Sequence, residues 1–147
     1  MGKIIIANWK VNPATQEEAA VLAKASDAPE VVVCPPHLFI PAVAKTLKKA
    51  KLGAQDGFYE SAGAFTGFVS LSQLAKAGVR YVIVGHSERR ALGEDDTVIA
   101  RKLVAALDAG ITPVLCVGET MQEHLAGKTK EVVDRQVRSA CALLPAG

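Results

Sequence analysis

Four short runs rich in β-branched and other apolar residues recur along the chain: KIIIAN (3–8), EVVVC (30–34), YVIVG (81–85) and TPVLCVG (112–118). They lack the apolar-polar alternation of a strand with one wet face, so each predicts a short strand covered on both sides. A weaker fifth run, LGAQ (52–55), lies between the second and third. Helical patterns fill the gaps at 15–26, 40–50, 70–77, 96–109 and 129–144, and in the last Val133, Val137, Ala140 and Leu144 share a predicted apolar face. Gly78 and Gly110 fall where helix C-caps belong. A βα unit every roughly 20–30 residues specifies an α/β fold with a parallel sheet. With 147 residues, half of them hydrophobic, residues 1–147 are expected to form a single domain.

Charge excludes some partners. The 17 basic and 15 acidic residues are interspersed, with no basic run beyond Lys48, Lys49 and Lys51, so no nucleic-acid partner is expected. No apolar stretch reaches the ~18 residues of a membrane span, and MGKIIIANWK lacks the features of an export signal, so a cytoplasmic protein without membrane contact is expected. The three cysteines, Cys34, Cys116 and Cys141, are far apart in apolar runs and are expected to be reduced, buried thiols rather than metal ligands.

In a parallel α/β sheet, sites form beyond the C-terminal ends of the strands. After the first strand, NWK places Asn8 and Lys10 in phase with Ile4 and Ile6, and Trp9 on the opposite face. Taken singly, Lys10 also reads as a solvated strand-end lysine and Asn8 as a turn former. After the fourth, GHSERR sets His86 before Ser87, Glu88, Arg89 and Arg90, where a histidine is more often structural than catalytic. After the fifth, CVGET places Glu119 at the mouth, where a carboxylate near a helix start or in an ion pair is the plainer reading. The longest irregular stretch, DGFYESAGAFTGFVS (56–70), carries Phe65, Thr66 and Phe68, either as a contact surface or folded back on the loop.

Taken in order, NWK, AQ, GAFTG, GHSERR and CVGE resemble the triosephosphate isomerase family along the whole chain. The resemblance implies a partial (β/α)8 TIM barrel of about five βα units. It also implies interconversion of dihydroxyacetone phosphate and D-glyceraldehyde 3-phosphate, in glycolysis and gluconeogenesis, without cofactor or metal. Asn8 and Lys10 would bind the triose phosphate, with Lys10 also an electrostatic catalytic group, and His86 would be the electrophile at the carbonyl oxygens. Ser87, Glu88 and Arg90 would support the site, Glu94 would join a structural network after the fourth strand, and Thr66 would reach a neighbouring subunit's site. Phe68 stands where the family usually has glutamate, and Val11 and Gln73 also depart from its pattern.

The resemblance stops at the fifth helix, so the chain reads as truncated. The catalytic glutamate, the lid and the phosphate-gripping loops of the sixth to eighth units have no counterpart, leaving the general base absent. The chain alone is therefore expected to be inactive or nearly so. Open sheet edges and an apolar inner face, exemplified by Ile4, Ile6, Val82 and Val84, predict a homo-oligomer or a complementing C-terminal fragment as partner. The alternative is a non-catalytic, self-assembling α/β barrel fragment.

Overall fold

The computed structural model describes residues 2–144. Its strands are β1 (Ile5–Asn8), β2 (Val31–Cys34), β3 (Lys51–Ala54), β4 (Tyr81–Val84) and β5 (Thr112–Leu115), one for each apolar run. The helices are α1 (Gln16–Ala25), α2 (Ile40–Thr46), α3 (Leu71–Lys76), α4 (Ser87–Ala91), α5 (Asp96–Asp108), α6 (Met121–Leu125) and α7 (Thr129–Cys141). All neighbouring strands pair in parallel in the order β1-β2-β3-β4-β5, with Ile6 beside Val32 and Val84 beside Leu115. A doubly wound sheet would reverse its strand order; this one advances in a single direction, as a (β/α)8 barrel does. The fold is therefore five βα units of such a barrel.

Strand alternation separates two apolar layers. Val33, Leu52, Ala54, Val82 and Val84 face the helices and pack with Ala19, Val43, Leu74, Ile99, Leu103 and Ala140. Val32, Cys34 and Ile83, with Ile6, Tyr81 and Cys116, form the second layer on the inner face. This corrects the expectation for Val82 and Val84: β4 begins with Tyr81 pointing inward, so its even-numbered residues join the helical side. Burying a valine or leucine in the main layer contributes about 1.5–3 kcal/mol, which explains why strands of only four residues hold.

Local signals set most helix limits. Thr15 and Glu18 form a capping box at the start of α1, and Gly78 and Gly110 adopt positive φ just past α3 and α5. Two helices end earlier than their patterns. The backbone N–H groups of Lys48, Lys49 and Ala50 donate to the Asp27 carboxylate instead of continuing α2, and α7 stops at Cys141. The buried stripe of α7 is Val132, Gln136 and Ala140; Ala140 and the partly buried Leu144 belong to the predicted face, whereas Val132 and Gln136 replace Val133 and Val137 one position on, with Val137 exposed. Of the thiols only Cys34 is fully buried; Cys116 is half-buried and Cys141 exposed.

The long loop is closed at its base, where Phe58 N–H donates to Val69 O (2.8 Å) and Leu71 N–H to Phe58 O (3.0 Å). Phe58 then stacks with Phe65 and Phe68, at ring separations of 4.8 and 4.2 Å. The loop therefore folds back on itself, and Phe65 and Phe68 pack on Phe58 while remaining partly exposed.

Gly53 lies on the inner face, where a Cβ would collide with Cys34 Sγ and sit 2.8 Å from Val32 Cγ1. Gly53→Ala should cost about 1–3 kcal/mol in denaturant unfolding, as over-packed cores do. Gly118→Ala, with open space around it, serves as the control.

Candidate active site

The rim above the strand ends begins with a strained turn. Asn8 closes β1, and its Oδ1 accepts from Lys10 N–H at 2.9 Å. Lys10 has φ +55°, a left-handed conformation costly for a side chain with a Cβ. Gln55, just after β3, holds it there by donating from Nε2 to the carbonyls of Lys10 (2.8 Å) and Cys34 (3.0 Å). Because the turn leaves extended geometry, alternation no longer sets where Lys10 points, and its ammonium pairs instead with the Glu88 carboxylate. Trp9 packs on the opposite, helical side, as alternation predicts.

His86 follows Gly85, which has φ +73°, and caps α4. The backbone N–H of Glu88 donates to His86 Nδ1 at 3.2 Å. That nitrogen therefore carries the lone pair, and the ring proton belongs on Nε2. Glu88 Oε2 lies 3.6 Å from the same nitrogen, too far for a competing hydrogen bond. The half-buried ring stands between two clefts. One, of about 310 Å³, is lined by Asn8, Gln55, Glu88 and Arg89 among others, the second, of about 260 Å³, by Ser87, Arg90, Cys116 and Glu119 among others, and His86 lines both.

The carboxylates at this rim are held ionised. The Lys10 ammonium, first by hydrogen bond and then by charge, keeps Glu88 below the ordinary glutamate range. Glu119 is likewise lowered, by its own backbone N–H and by hydrogen bonds from His124 and Thr129. Burial pushes the Cys34 thiol the other way, up to about 12, which leaves it protonated.

Beneath the rim lies an ion network. Lys102, only 3% exposed, donates to Asp56 and Glu94 at 2.6 Å each, and Arg89 pairs with the same two carboxylates at 3.1 and 3.2 Å. It ties α5 to the loops after β3 and β4.

The structure thus brings Asn8, Lys10, His86 and Glu88 together, with Ser87 and Arg90 on the far side of the histidine. Thr66 lies exposed on the long loop and lines neither cleft. Sequence reasoning missed Gln55 as the anchor of Lys10, Lys102 at the centre of the ion network, and Gln136, which accepts from Gly118 N–H (2.8 Å) and donates to Gly118 O (3.0 Å) just after β5. The last two carried a signal, each being the polar residue within the buried stripe of its helix.

The triosephosphate isomerase family model matches residues 3–146. The chain belongs to the triosephosphate isomerase family. It is 49% identical to the triosephosphate isomerase of Halorhodospira halophila over 140 residues, 92% of this chain and 56% of that protein. The triosephosphate isomerase of Aquifex aeolicus is 44% identical over 149 residues, covering 95% and 60%, and that of Dechloromonas aromatica 48% over 143 residues, covering 92% and 57%. The chain therefore spans a little over half the length of these relatives.

Two outcomes follow from the geometry. Gln55→Leu should cost about 0.5–1.5 kcal/mol in denaturant unfolding, since it strips the Lys10 carbonyl of its partner and leaves a left-handed lysine unsupported, while Cys34 O keeps Trp9 N–H. For Glu88, a folded pKa below the unfolded value means that its contribution is complete at neutral pH and is lost as pH falls through the folded pKa. Carboxyl NMR titration should show Glu88 moving back up toward 4.5 in Lys10→Met; an unmoved value would mean that the pair is not what lowers it.

Proposed function

We propose that this chain supplies the electrophilic and substrate-binding half of a site interconverting dihydroxyacetone phosphate and D-glyceraldehyde 3-phosphate. The observation that carries this reading is His86, whose Nδ1 is occupied by the Glu88 backbone N–H, leaving Nε2–H to donate to a substrate carbonyl. As a proton leaves the neighbouring carbon, negative charge grows on that oxygen, and a fixed donor gains strength in the transition state; removing one such donor typically costs ~10²–10³-fold in kcat. Asn8 contributes an amide to substrate binding, and Lys10 a positive charge facing the phosphate and the developing oxyanion. Glu88 is engaged by Lys10, and Ser87 and Arg90 support the turn from its other side. No cofactor is needed for this proton transfer.

Neither rim glutamate suits the work of general base. A base works best with a pKa near the operating pH and contributes ~10²–10⁴-fold, whereas Glu88 and Glu119 are both held below their ordinary range by bonded donors. The family resemblance assigns the base to a glutamate on a sixth βα unit, and these 147 residues supply five. Residues 1–147 alone should therefore turn over at or near background and gain activity when units six to eight are provided as a separate segment. A coupled glyceraldehyde 3-phosphate assay tests this: turnover that appears on mixing and is lost in His86→Gln supports the reading. Turnover on mixing that survives His86→Gln contradicts it.

The second reading, a self-assembling module without turnover, draws support from exposed apolar side chains near the first cleft, Val11 at 92%, Leu38 at 79% and Leu92 at 81% exposure. The open edges of β1 and β5 and the inner apolar layer also favour association with a second copy or with a complementing segment, and Thr66 is the residue the family would send into a neighbour's site. Light scattering at micromolar concentration should show an oligomer; a well-folded monomer would count against self-association. No helix among the described residues is long and apolar enough to cross a membrane, and a cytoplasmic location completes this proposal.

A further inference from the structure

The last rung between β4 and β5 at the rim is Cys116 N–H to Val84 O at 2.8 Å. One residue further on, the Arg90 side chain takes over the ladder's work, donating from Nε to Gly85 O at 2.9 Å and from Nη2 to Cys116 O at 3.4 Å. Its remaining arm, Nη1, donates to Asp96 Oδ1 at 2.6 Å. The fit is close, because a Cβ on Gly85 would lie 3.1 Å from Cys116 O and 3.2 Å from Arg90 Nη2. Both partners are largely buried, at 18% and 26% exposure, where a charge-assisted bond is screened less than at the surface.

Asp96 is the first residue of α5, but it is not the cap of that helix. Asp95 fills that role, accepting from Val98 N–H at 2.9 Å. The Asp96 carboxylate is thus free of local backbone duty and spent on Arg90. We infer that Asp96 is a positioning residue: by fixing the Arg90 guanidinium against two carbonyls, it sets the turn that carries His86 relative to the end of β5. Its consequence for catalysis rests on the reading of His86 as electrophile; the positional effect does not. Arginine has a long, rotamer-rich side chain, so without Asp96 the longest contact, to Cys116 O, is the first to be lost.

Amide ¹H–¹⁵N spectra of the 147-residue chain test this without recourse to activity. The N–H groups of His86 and Val117 share peptide units with the Gly85 and Cys116 carbonyls. Asp96→Asn should displace both resonances more than any in the second half of α5, and Asp96→Glu should restore them most of the way. Asp95→Ala, which removes the acceptor that caps the same helix, should lower the unfolding midpoint while leaving both in place. Unmoved His86 and Val117 signals in Asp96→Asn, or equal displacement by Asp95→Ala, would overturn the inference. Should Asp96→Asn fail to fold, Asp96→Ser, which also removes the carboxylate from Arg90, takes its place under the same criterion. The coupled assay above can fail without affecting this result, which keeps the two readings separable.

Discussion

The side-chain amide of Gln55 is the interaction on which the rest of the rim depends. Its Nε2 bonds the carbonyls of Lys10 and Cys34 at once, so one residue after β3 ties together the chain leaving β1 and the end of β2. That bond allows Lys10 to keep a left-handed backbone, and the resulting turn delivers its ammonium to Glu88 across the sheet. Glu88 in turn donates its backbone N–H to His86. A continuous set of contacts therefore runs from β1 through β3 to β4. The parallel order of the sheet makes this possible, because it brings every strand's C-terminal end to the same rim.

The site divides its charged groups by depth. Lys102, Asp56, Glu94 and Arg89 form a network whose lysine and Glu94 carboxylate are almost fully buried. Such a network is costly to break, because removing one partner strands the others in a poorly solvated place. Above it, Lys10 and Glu88 are more than half exposed, so their pairing orients more than it stabilises. A buried, tightly paired lower layer thus lies under a more exposed and more freely adjustable upper one.

Much of this was legible in the sequence, for identifiable reasons. Four of the five strands stood out as runs of β-branched and other apolar residues, β3 only weakly as LGAQ, and the markers NWK and GHSERR put Asn8, Lys10 and His86 beyond the ends of β1 and β4. What escaped depended on partners distant in sequence. The early end of α2 is imposed by Asp27, 21 residues before Lys48, and no local propensity encodes that. The inner and outer faces of β4 were misassigned because a run of four apolar residues has no polar member to set its phase. The turn at Lys10 defeated simple alternation, since its support comes from Gln55, 45 residues on.

The proposed electrophilic role depends on the tautomer of His86, since only a ring proton on Nε2 leaves a donor free for a substrate. ¹⁵N chemical shifts of the two imidazole nitrogens, measured near neutral pH on selectively labelled chain, read this directly. That role predicts a protonated Nε2 and an unprotonated Nδ1. A proton on Nδ1, drawn there by the Glu88 carboxylate, would contradict it.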